Sequence, residues 1–368
     1  MTSSDLYPVS RLAAAQEATA KAGLDALLLT PGPDLRYVSG YEALPLERLT
    51  CLVVPASGEA YMMVPRLELP AAQASPASRL GLEFVAWDET DDPYMIVAKR
   101  LGQVGKVGLA DRMWAMASLR FRDAMPGAEQ VLAGTVLREL RMRKSPAEVA
   151  ALREAGEAID AVHRLVPEFL RPGRTEREVG RDIHDAILQA GHATVDFVIV
   201  ASGPNGASPH AEVSDRVIQA GEPVVVDIGG QMHSGYCSDS TRNYCVGEPP
   251  ADYAAYFEVL RRAQEAACDA VRPGVTCESI DAVARDVITE AGYGEYFIHR
   301  TGHGIGIETH EEPYIVKGNS ELMEAGFAFS VEPGIYPGQH GARIEDIVVC
   351  TENGGERLNN TPRTLVIV

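Results

Sequence analysis

The first 135 residues alternate between two hydrophobic patterns, one typical of helices and one typical of buried strands. Residues 10–22 are Ala-rich with a single apolar face, which predicts a helix that Gly23 would end. Residues 25–30 (DALLLT) are typical of a buried strand, and 31–34 (PGPD) predict a turn. Further strands are predicted at 50–55, 60–64, 82–86 and 106–109, and further helices at 93–102 and 113–124. The alternation predicts an α/β domain with a mixed sheet.

A long charged segment with helical periodicity, residues 135–163, follows this domain. Within it, Ser145-Pro146-x-Glu148 is a helix-start signal, with a Ser cap, Pro at the first helical position and Glu at the third. We therefore expect a domain boundary near Lys144, with a first domain at 1–143 and a second at 144–368.

The second part of the chain contains an internal duplication. The pattern Arg-Pro-Gly-x-Thr at 171–175 recurs at 272–276, and Ala-Gly at 190–191 recurs at 291–292, both at an offset of 101 residues. Further on, two acids pair with two later acids at offsets of 105 and 106, Asp227 with Glu332 and Asp239 with Glu345. The repeat predicts a pseudo-twofold α/β domain in which helices cover a curved sheet. Each half would supply one strand pair, with one acid on each strand.

These four acids favour a metal centre. Asp227 follows the apolar run 224–226 and Glu332 follows the apolar run 327–331, so both would end buried strands. A buried carboxylate is costly unless it is paired or coordinated, and four together would raise one another's pKa. Two divalent cations would balance the four negative charges. Taken singly, each acid could instead cap a loop or pair with a surface arginine.

His303 is a further candidate ligand, because glycines on both sides (TGHGIG) let other groups approach its imidazole. A hydrogen-bonded core histidine is the alternative interpretation. The glycine spacing matches neither the dinucleotide nor the Walker pattern. An oxygen-rich site with one imidazole suits Mn²⁺ better than a structural Zn²⁺, although Zn²⁺, Co²⁺ or Fe²⁺ could substitute.

Charge and composition limit the classes of binding partner and the cellular compartment that we expect for this protein. The net charge of −19 disfavours binding to nucleic acid or to anionic membranes. No apolar run approaches the roughly 20 residues that span a bilayer, and the N-terminus lacks the pattern of a signal peptide. The six cysteines form no C-x-x-C pair, which is consistent with reduced thiols. We expect a cytoplasmic protein.

Five separated motifs resemble those of the pita-bread metallopeptidases. They are VVVDIGG, SDSTR, RTGHGIG, SVEPGIY and ARIED, in this order. Within that family the chain is similar to the Xaa-Pro dipeptidases (prolidases) and aminopeptidase P. The segment PDLRYVSGY extends a looser resemblance to creatinase-type N-terminal domains. The resemblance implies a creatinase-like first domain, a pita-bread catalytic domain and a homodimer.

The resemblance also implies roles for five ligands around two divalent ions. Asp227 would be a terminal ligand, Asp239 and Glu345 would bridge the ions, and His303 would bind one of them. Glu332 would be both a terminal ligand and the proton shuttle, and a hydroxide between the ions would be the nucleophile.

Four further residues acquire roles from the same resemblance. His210 and His310 would hydrogen-bond the scissile carbonyl or the oxyanion. Arg343 would orient the ligand carboxylates. His299 would line the proline pocket, and a buried structural histidine is its alternative. The other histidines carry no matching motif: His163, His184, His192, His233 and His340.

Substrate length depends on how the enzyme binds the C-terminal end of the peptide. A dipeptidase has to bind the substrate's C-terminal carboxylate, and arginine is the natural partner for that group. Arg48, in the loop 41–49, is our candidate, and a surface ion pair with Glu42 or Glu47 is the alternative. We expect a prolidase that acts on proline-containing dipeptides or short peptides. Aminopeptidase P, a non-catalytic binding protein and a metal-free amidinohydrolase of creatinase type remain alternatives.

Overall fold

The computed structural model describes residues 6–368, which form two compact units divided between Arg141 and Met142. The helices of the first part are α1 (Val9–Lys21), α2 (Pro33–Ser39), α3 (Leu69–Ala74), α4 (Pro93–Leu101), α5 (Ala115–Ala124) and α6 (Gly134–Met142). Its strands are β1 (Ala26–Leu29), β2 (Cys51–Pro55), β3 (Tyr61–Pro65), β4 (Glu83–Trp87), β5 (Lys106–Leu109) and β6 (Glu129–Leu132).

These six strands form one sheet in the order β4-β3-β2-β1-β5-β6. Strand β2 runs antiparallel to β1 and to β3, whereas the pairs β1–β5, β5–β6 and β3–β4 are parallel. The predicted mixed sheet is therefore confirmed. One core cluster joins the sheet to α4 and α5 through Val53, Tyr94, Val107 and Phe121.

The prediction for residues 31–34 was wrong in part, because the turn covers only its first half. Helix α2 begins at Pro33, after Gly32 with a φ of 153°. Proline is favoured at the start of a helix, where its missing N–H would have no intrahelical partner. The side chains of Leu35 and Val38 are buried and form the apolar face of this helix, which the turn-forming residues before them did not indicate.

The second part has a longer set of elements. Its helices are α7 (Pro146–Phe169), α8 (Glu176–Gln189), α9 (Ala251–Ala270) and α10 (Cys277–Glu290). Its longer strands are β7 (His192–Ser202), β8 (Pro223–Met232), β9 (Cys237–Cys245), β11 (Glu311–Ile315), β12 (Ala328–Val331), β15 (Asp346–Thr351) and β16 (Gly354–Arg357). Its short strands are β10 (Gly302–Gly304), β13 (Gly334–Ile335), β14 (Ala342–Arg343) and β17 (Val366–Ile367).

The internal duplication has a direct structural counterpart. One sheet has the order β17-β9-β8-β7 and packs against α7 and α8, and the other has the order β11-β10-β12-β15-β16 and packs against α9 and α10. Thr175 caps α8 and Thr276 caps α10, each with its hydroxyl accepting from a backbone N–H of the first turn. The two threonines also form equivalent bridges, to Val217 and to Leu322.

The acids occupy less uniform positions than the repeat predicted. Asp227 lies in the middle of β8, not at the end of a strand, because the strand continues through two glycines to Met232. Asp239 lies within β9. Glu332 follows the last residue of β12 and Glu345 precedes the first residue of β15, so the second pair flanks its strands.

Candidate metal centre

Strand register brings the first two acids together. In the β8–β9 hairpin, Asp239 lies opposite Gly229, which is two residues from Asp227. Residues two apart on a strand point to the same face, so both carboxylates project from one face of the hairpin. Both side chains are buried.

The second pair of acids lies at a shared end of β12 and β15. Val331 pairs with Asp346, so Glu332 and Glu345 extend these two strands at adjacent termini. The backbone N–H of Glu345 donates to the carbonyl of Thr241 at 3.2 Å, which joins this end to β9. The Thr241 hydroxyl also donates to Glu345 Oε2 at 2.8 Å. The pseudo-twofold halves therefore meet at the four acids.

The ligand atoms form three groups, within each of which all atoms lie within 4.8 Å of one another. The groups are Asp227–Asp239–Glu345, His303–Glu332–Glu345 and Asp239–His303–His310. Asp239, Glu345 and His303 each belong to two groups, so the three groups adjoin one another.

The donor chemistry fits a divalent metal. Asp227 Oδ1 is buried and has no hydrogen-bond partner among residues 6–368. His303 Nδ1 lies 3.1 Å from the carbonyl of Gly304, an acceptor that holds the proton on Nδ1. The other ring nitrogen, Nε2, faces the carboxylates, 3.2 Å from Glu332 Oε1 and 3.6 Å from Asp239 Oδ2, and it is the nitrogen that would bind a cation. Carboxylate oxygens and one imidazole are characteristic ligands of divalent transition metals.

The pKa values of Asp239, Glu345 and Glu332 are all shifted from their ordinary values in this buried cluster. Burial raises the pKa of Asp239, and the charges of Glu345 and Asp227 raise it further. Burial likewise raises the pKa of Glu345, with Glu332 and Asp227 adding to the shift. Burial opposes ionisation of Glu332 as well, but the hydrogen bond and charge of His303 outweigh it and lower its pKa to about 2. Bound cations would favour the ionised form of all these groups.

Arg343, to which the resemblance gave the role of orienting the carboxylates, lies beside the acids. Its buried guanidinium donates to Asp227 Oδ2 at 2.5 Å, to the Thr241 hydroxyl at 3.1 Å, to the Tyr336 hydroxyl at 2.9 Å and to the Pro209 carbonyl at 3.0 Å. Burial opposes its charge, yet Tyr336 and Asp227 raise its pKa, so it stays cationic. Arg343 therefore fixes one oxygen of Asp227 and leaves the other for a cation.

Tyr336 was not singled out from the sequence, although it ends the motif SVEPGIY. Its hydroxyl accepts from Arg343 and lies 3.0 Å from His299 Nε2. His299 is half-buried, its Nδ1 lies 2.7 Å from the Arg300 carbonyl, and its ring stands edge-on to Phe297. These contacts connect His299 to the acids through two residues. A role of His299 in the proline pocket stays a prediction.

The two remaining predicted histidines approach the centre from loops. The ring centroid of His310 is 4.0 Å from that of His303, and His310 is exposed. His210 is also exposed, and the carbonyl before it accepts from Arg343. The histidines without matching motifs include two that are buried and hydrogen-bonded. His163 contacts Tyr244 and Ser240, and His192, which lies in β7, contacts Ser238.

Arg48 belongs to the first unit. Its guanidinium donates to Glu47 Oε1 and to Glu89 Oε1, both at 2.7 Å. Glu47 is one of the two acids expected in the alternative interpretation, and the other, Glu42, pairs with Arg36 at 3.0 Å. A role of Arg48 in substrate recognition stays a prediction.

Comparison with known proteins gives this centre its context. Residues 150–352 match the model of metallopeptidase family M24, and residues 11–143 match the creatinase/prolidase N-terminal domain. The chain belongs to metallopeptidase family M24. The predicted creatinase-like first domain and pita-bread catalytic domain are thereby confirmed, as is the expectation of a peptidase.

Relatives of this M24 peptidase align along nearly its whole length. A probable dipeptidase PepE from Mycobacterium tuberculosis is 55% identical over 97% of this chain and 96% of its own. An Xaa-Pro dipeptidase from Lactobacillus delbrueckii subsp. lactis is 37% identical over 94% of this chain and 95% of its own. The crystal structure of dipeptidase PepE from Mycobacterium ulcerans superimposes with a TM-score of 0.92, at 56% identity, over 98% of this chain and 97% of that one.

No helix within residues 6–368 combines the length and the apolar character needed to cross a membrane.

Proposed function

We propose that this M24 peptidase is an Xaa-Pro dipeptidase (prolidase) that binds two divalent ions, with Mn²⁺ as the physiological metal. One observation carries the proposal. Two adjoining groups of ligand atoms share Glu345, and one of their members, Asp227, keeps a buried oxygen without a partner. Relatives named dipeptidase and Xaa-Pro dipeptidase, aligned along nearly the whole chain, support the substrate class.

Five residues would hold the two ions. Asp227 would bind one ion, His303 and Glu332 the other, and Asp239 and Glu345 both. When bound, the ions supply a nucleophile of lowered pKa and polarise the scissile carbonyl.

The chain's own residues would then move and position the proton. Glu332 Oε1 accepts from the Ser330 hydroxyl at 3.2 Å, which fixes its orientation. An ionised carboxylate in this orientation can accept the proton of the attacking water and pass it to the proline nitrogen, which leaves as a secondary amine. His210 and His310 would donate to the carbonyl oxygen as negative charge develops on it.

Proline in the second position removes the N–H that most peptide sites bind. A rigid ring can pack instead against an imidazole face, and His299 is held in one orientation by its bonds to Tyr336 and Arg300. We infer that His299 lines this pocket.

A paired assay tests the proposal. The protein is stripped with EDTA and reloaded with Mn²⁺, Zn²⁺ or Co²⁺, and hydrolysis of Ala-Pro is compared with hydrolysis of Ala-Pro-Ala. We expect cleavage of the dipeptide to be faster and to be highest with Mn²⁺. Faster cleavage of the tripeptide would make the protein an aminopeptidase P, and no cleavage with any metal would refute the peptidase assignment for this substrate class.

Arg48 is our candidate for the group that limits substrate length. If it binds the substrate carboxylate, Arg48→Ala will reduce cleavage of an Xaa-Pro dipeptide more than that of the matching tripeptide. Arg66→Ala is a matched control, because Arg66 is an exposed arginine of the same unit that pairs with Asp88. Equal losses on both substrates would assign Arg48 only to its ion pairs with Glu47 and Glu89. We further propose a cytoplasmic homodimer, which sedimentation equilibrium would test.

A further inference from the structure

One buried carboxylate outside the metal centre has no part in the function described above. Glu176, the first residue of α8, is 0% exposed. Its Oε1 accepts from the backbone N–H and the hydroxyl of Ser202, both at 2.8 Å. Its Oε2 accepts from the hydroxyl of Ser214 at 2.5 Å and from the backbone N–H of the same residue at 3.3 Å. A single side chain thus binds two points that are twelve residues apart in the sequence.

The segment between these two serines carries His210. Apart from a short 3₁₀ turn, Gly203–Ala207, it contains no regular element, so its backbone has few bonds of its own. Asn205 Nδ2 adds a third point, at 3.1 Å and 3.0 Å from the two oxygens of Glu176. Fixing both ends and one interior point of a loop removes most of its conformational freedom.

The duplicated half of the domain shows why such a contact is needed here. Thr276 is the repeat partner of Thr175, so the counterpart of Glu176 is Cys277, which has no carboxylate. In that half the loop carrying His310 leads directly into β11, which pairs with β10. The His210 segment has no equivalent strand, and the hydrogen bonds of Glu176 take the place of that pairing.

The far end of the same segment reaches the metal centre. The Pro209 carbonyl accepts from Arg343 Nη1 at 3.0 Å, and Arg343 also binds Asp227. The segment is therefore fixed at its ends by Glu176 and near its tip by Arg343, with His210 as the next residue. We propose that Glu176 is a positioning residue that holds His210 in register with the substrate carbonyl. This inference rests on the proposed function through the role of His210.

Glu176→Gln is the sharpest perturbation, because it keeps the size and shape of the side chain. Whichever oxygen becomes the amide nitrogen, one backbone N–H, that of Ser202 or that of Ser214, loses its acceptor and faces another donor. We expect kcat for Ala-Pro to fall by about 10- to 100-fold, since small misplacements of a catalytic group have effects of this size. We expect KM and the affinity for Mn²⁺, measured by calorimetry, to change less than twofold.

A double-mutant cycle separates positioning from general damage. If Glu176 acts through His210, Glu176→Gln will lower kcat no further in a His210→Ala background. The proposal is overturned if the fold decrease in kcat of the double variant equals the product of the decreases in the two single variants. It is also overturned if the kcat of Glu176→Gln lies within twofold of the wild type. Glu178→Gln, on the same helical turn but exposed, is the matched control and should leave kcat within twofold of the wild type.

Hydrogen exchange gives a readout that does not depend on activity. Amides of residues 203–213 should exchange at least tenfold faster in Glu176→Gln than in the wild type, whereas those of β8 and β9 should not change. If Glu176→Gln does not fold, Ser214→Ala removes one donor and should show the same pattern to a smaller extent. Unchanged exchange in 203–213 overturns the proposal. Should the wild type fail to cleave any Xaa-Pro peptide, the proposed function fails while the exchange experiment still decides whether Glu176 orders the segment.

Discussion

Arg242 offers the most informative test of how buried hydrogen bonds stabilise the strands that carry the metal centre. It is 2% exposed, and its Nη2 donates to Asp346 Oδ1 at 2.6 Å. The same guanidinium donates to the carbonyls of Thr241 at 2.9 Å, Glu345 at 2.5 Å and Thr361 at 2.9 Å. One side chain therefore connects β9, β15 and the C-terminal segment next to the predicted ligand Glu345.

Replacing Arg242 with Met keeps much of the volume and removes every donor. Breaking a buried ion pair by removing one partner costs about 3–5 kcal/mol, because the remaining charge stays buried. Asp346 would keep bonds from Gln264 at 3.0 Å and Arg363 at 3.1 Å, so we expect the lower end, about 3 kcal/mol. For a folding unit of this size, 1 kcal/mol corresponds to roughly 2–4 °C in Tm, which predicts a decrease of about 6–12 °C.

Differential scanning calorimetry with saturating Mn²⁺ measures this decrease. Arg363→Met is the matched control, since Arg363 is half-buried and makes a single bond to the same Asp346. We expect the control to cost less than about 1 kcal/mol, as partly exposed ion pairs do. A decrease for Arg242→Met no larger than that for Arg363→Met would refute the argument that the buried pair carries the stability.

Three further outcomes follow from the centre and its surroundings. Removing metal with EDTA should abolish peptidase activity and lower Tm, because a ligand at 100 times its Kd contributes about 2.7 kcal/mol to the stability of the folded state. Added Mn²⁺ should restore both, and full activity in a metal-free sample would contradict the metal requirement. Glu332→Gln should lower kcat by at least about 100-fold in a steady-state assay, while calorimetry still detects bound metal. If the variant loses its metal and regains full kcat when excess Mn²⁺ is added, Glu332 acts only as a ligand. Burial and the charge of Arg242 lower the pKa of His163 to about 3, so the unfolded chain, with a pKa near 6.5, takes up the proton first. The stability that His163 contributes is therefore complete above pH 6.5 and is lost as pH falls towards 3, by up to about 1.4 kcal/mol per unit. Urea unfolding at pH 7 and pH 5 should show a smaller loss for His163→Gln than for the wild type, and equal losses would refute this assignment.

Periodicity and spacing alone predicted most of the elements and the candidate ligands. The Ser145-Pro146-x-Glu148 signal begins α7, and its capping box is formed as predicted. The repeat threonines Thr175 and Thr276 cap equivalent helices. Such features are local, since a cap or an amphipathic face depends on residues within a few positions of one another. Helix α2 was missed because PGPD is equally typical of a turn, and only the burial of Leu35 decided between the two.

What the sequence by itself determined is the set of acids related by duplication, because a repeat is visible as a fixed spacing. Only the tertiary structure decided how these acids meet. The register of β8 against β9 places Asp227 and Asp239 on one face, and the Thr241–Glu345 bonds bring the second pair beside them. Residues that hold the centre from a distance, such as Glu176 and Arg242, look like ordinary surface charges in the chain. Their roles become visible only through burial and long-range hydrogen bonds, which depend on contacts between segments that are distant in sequence.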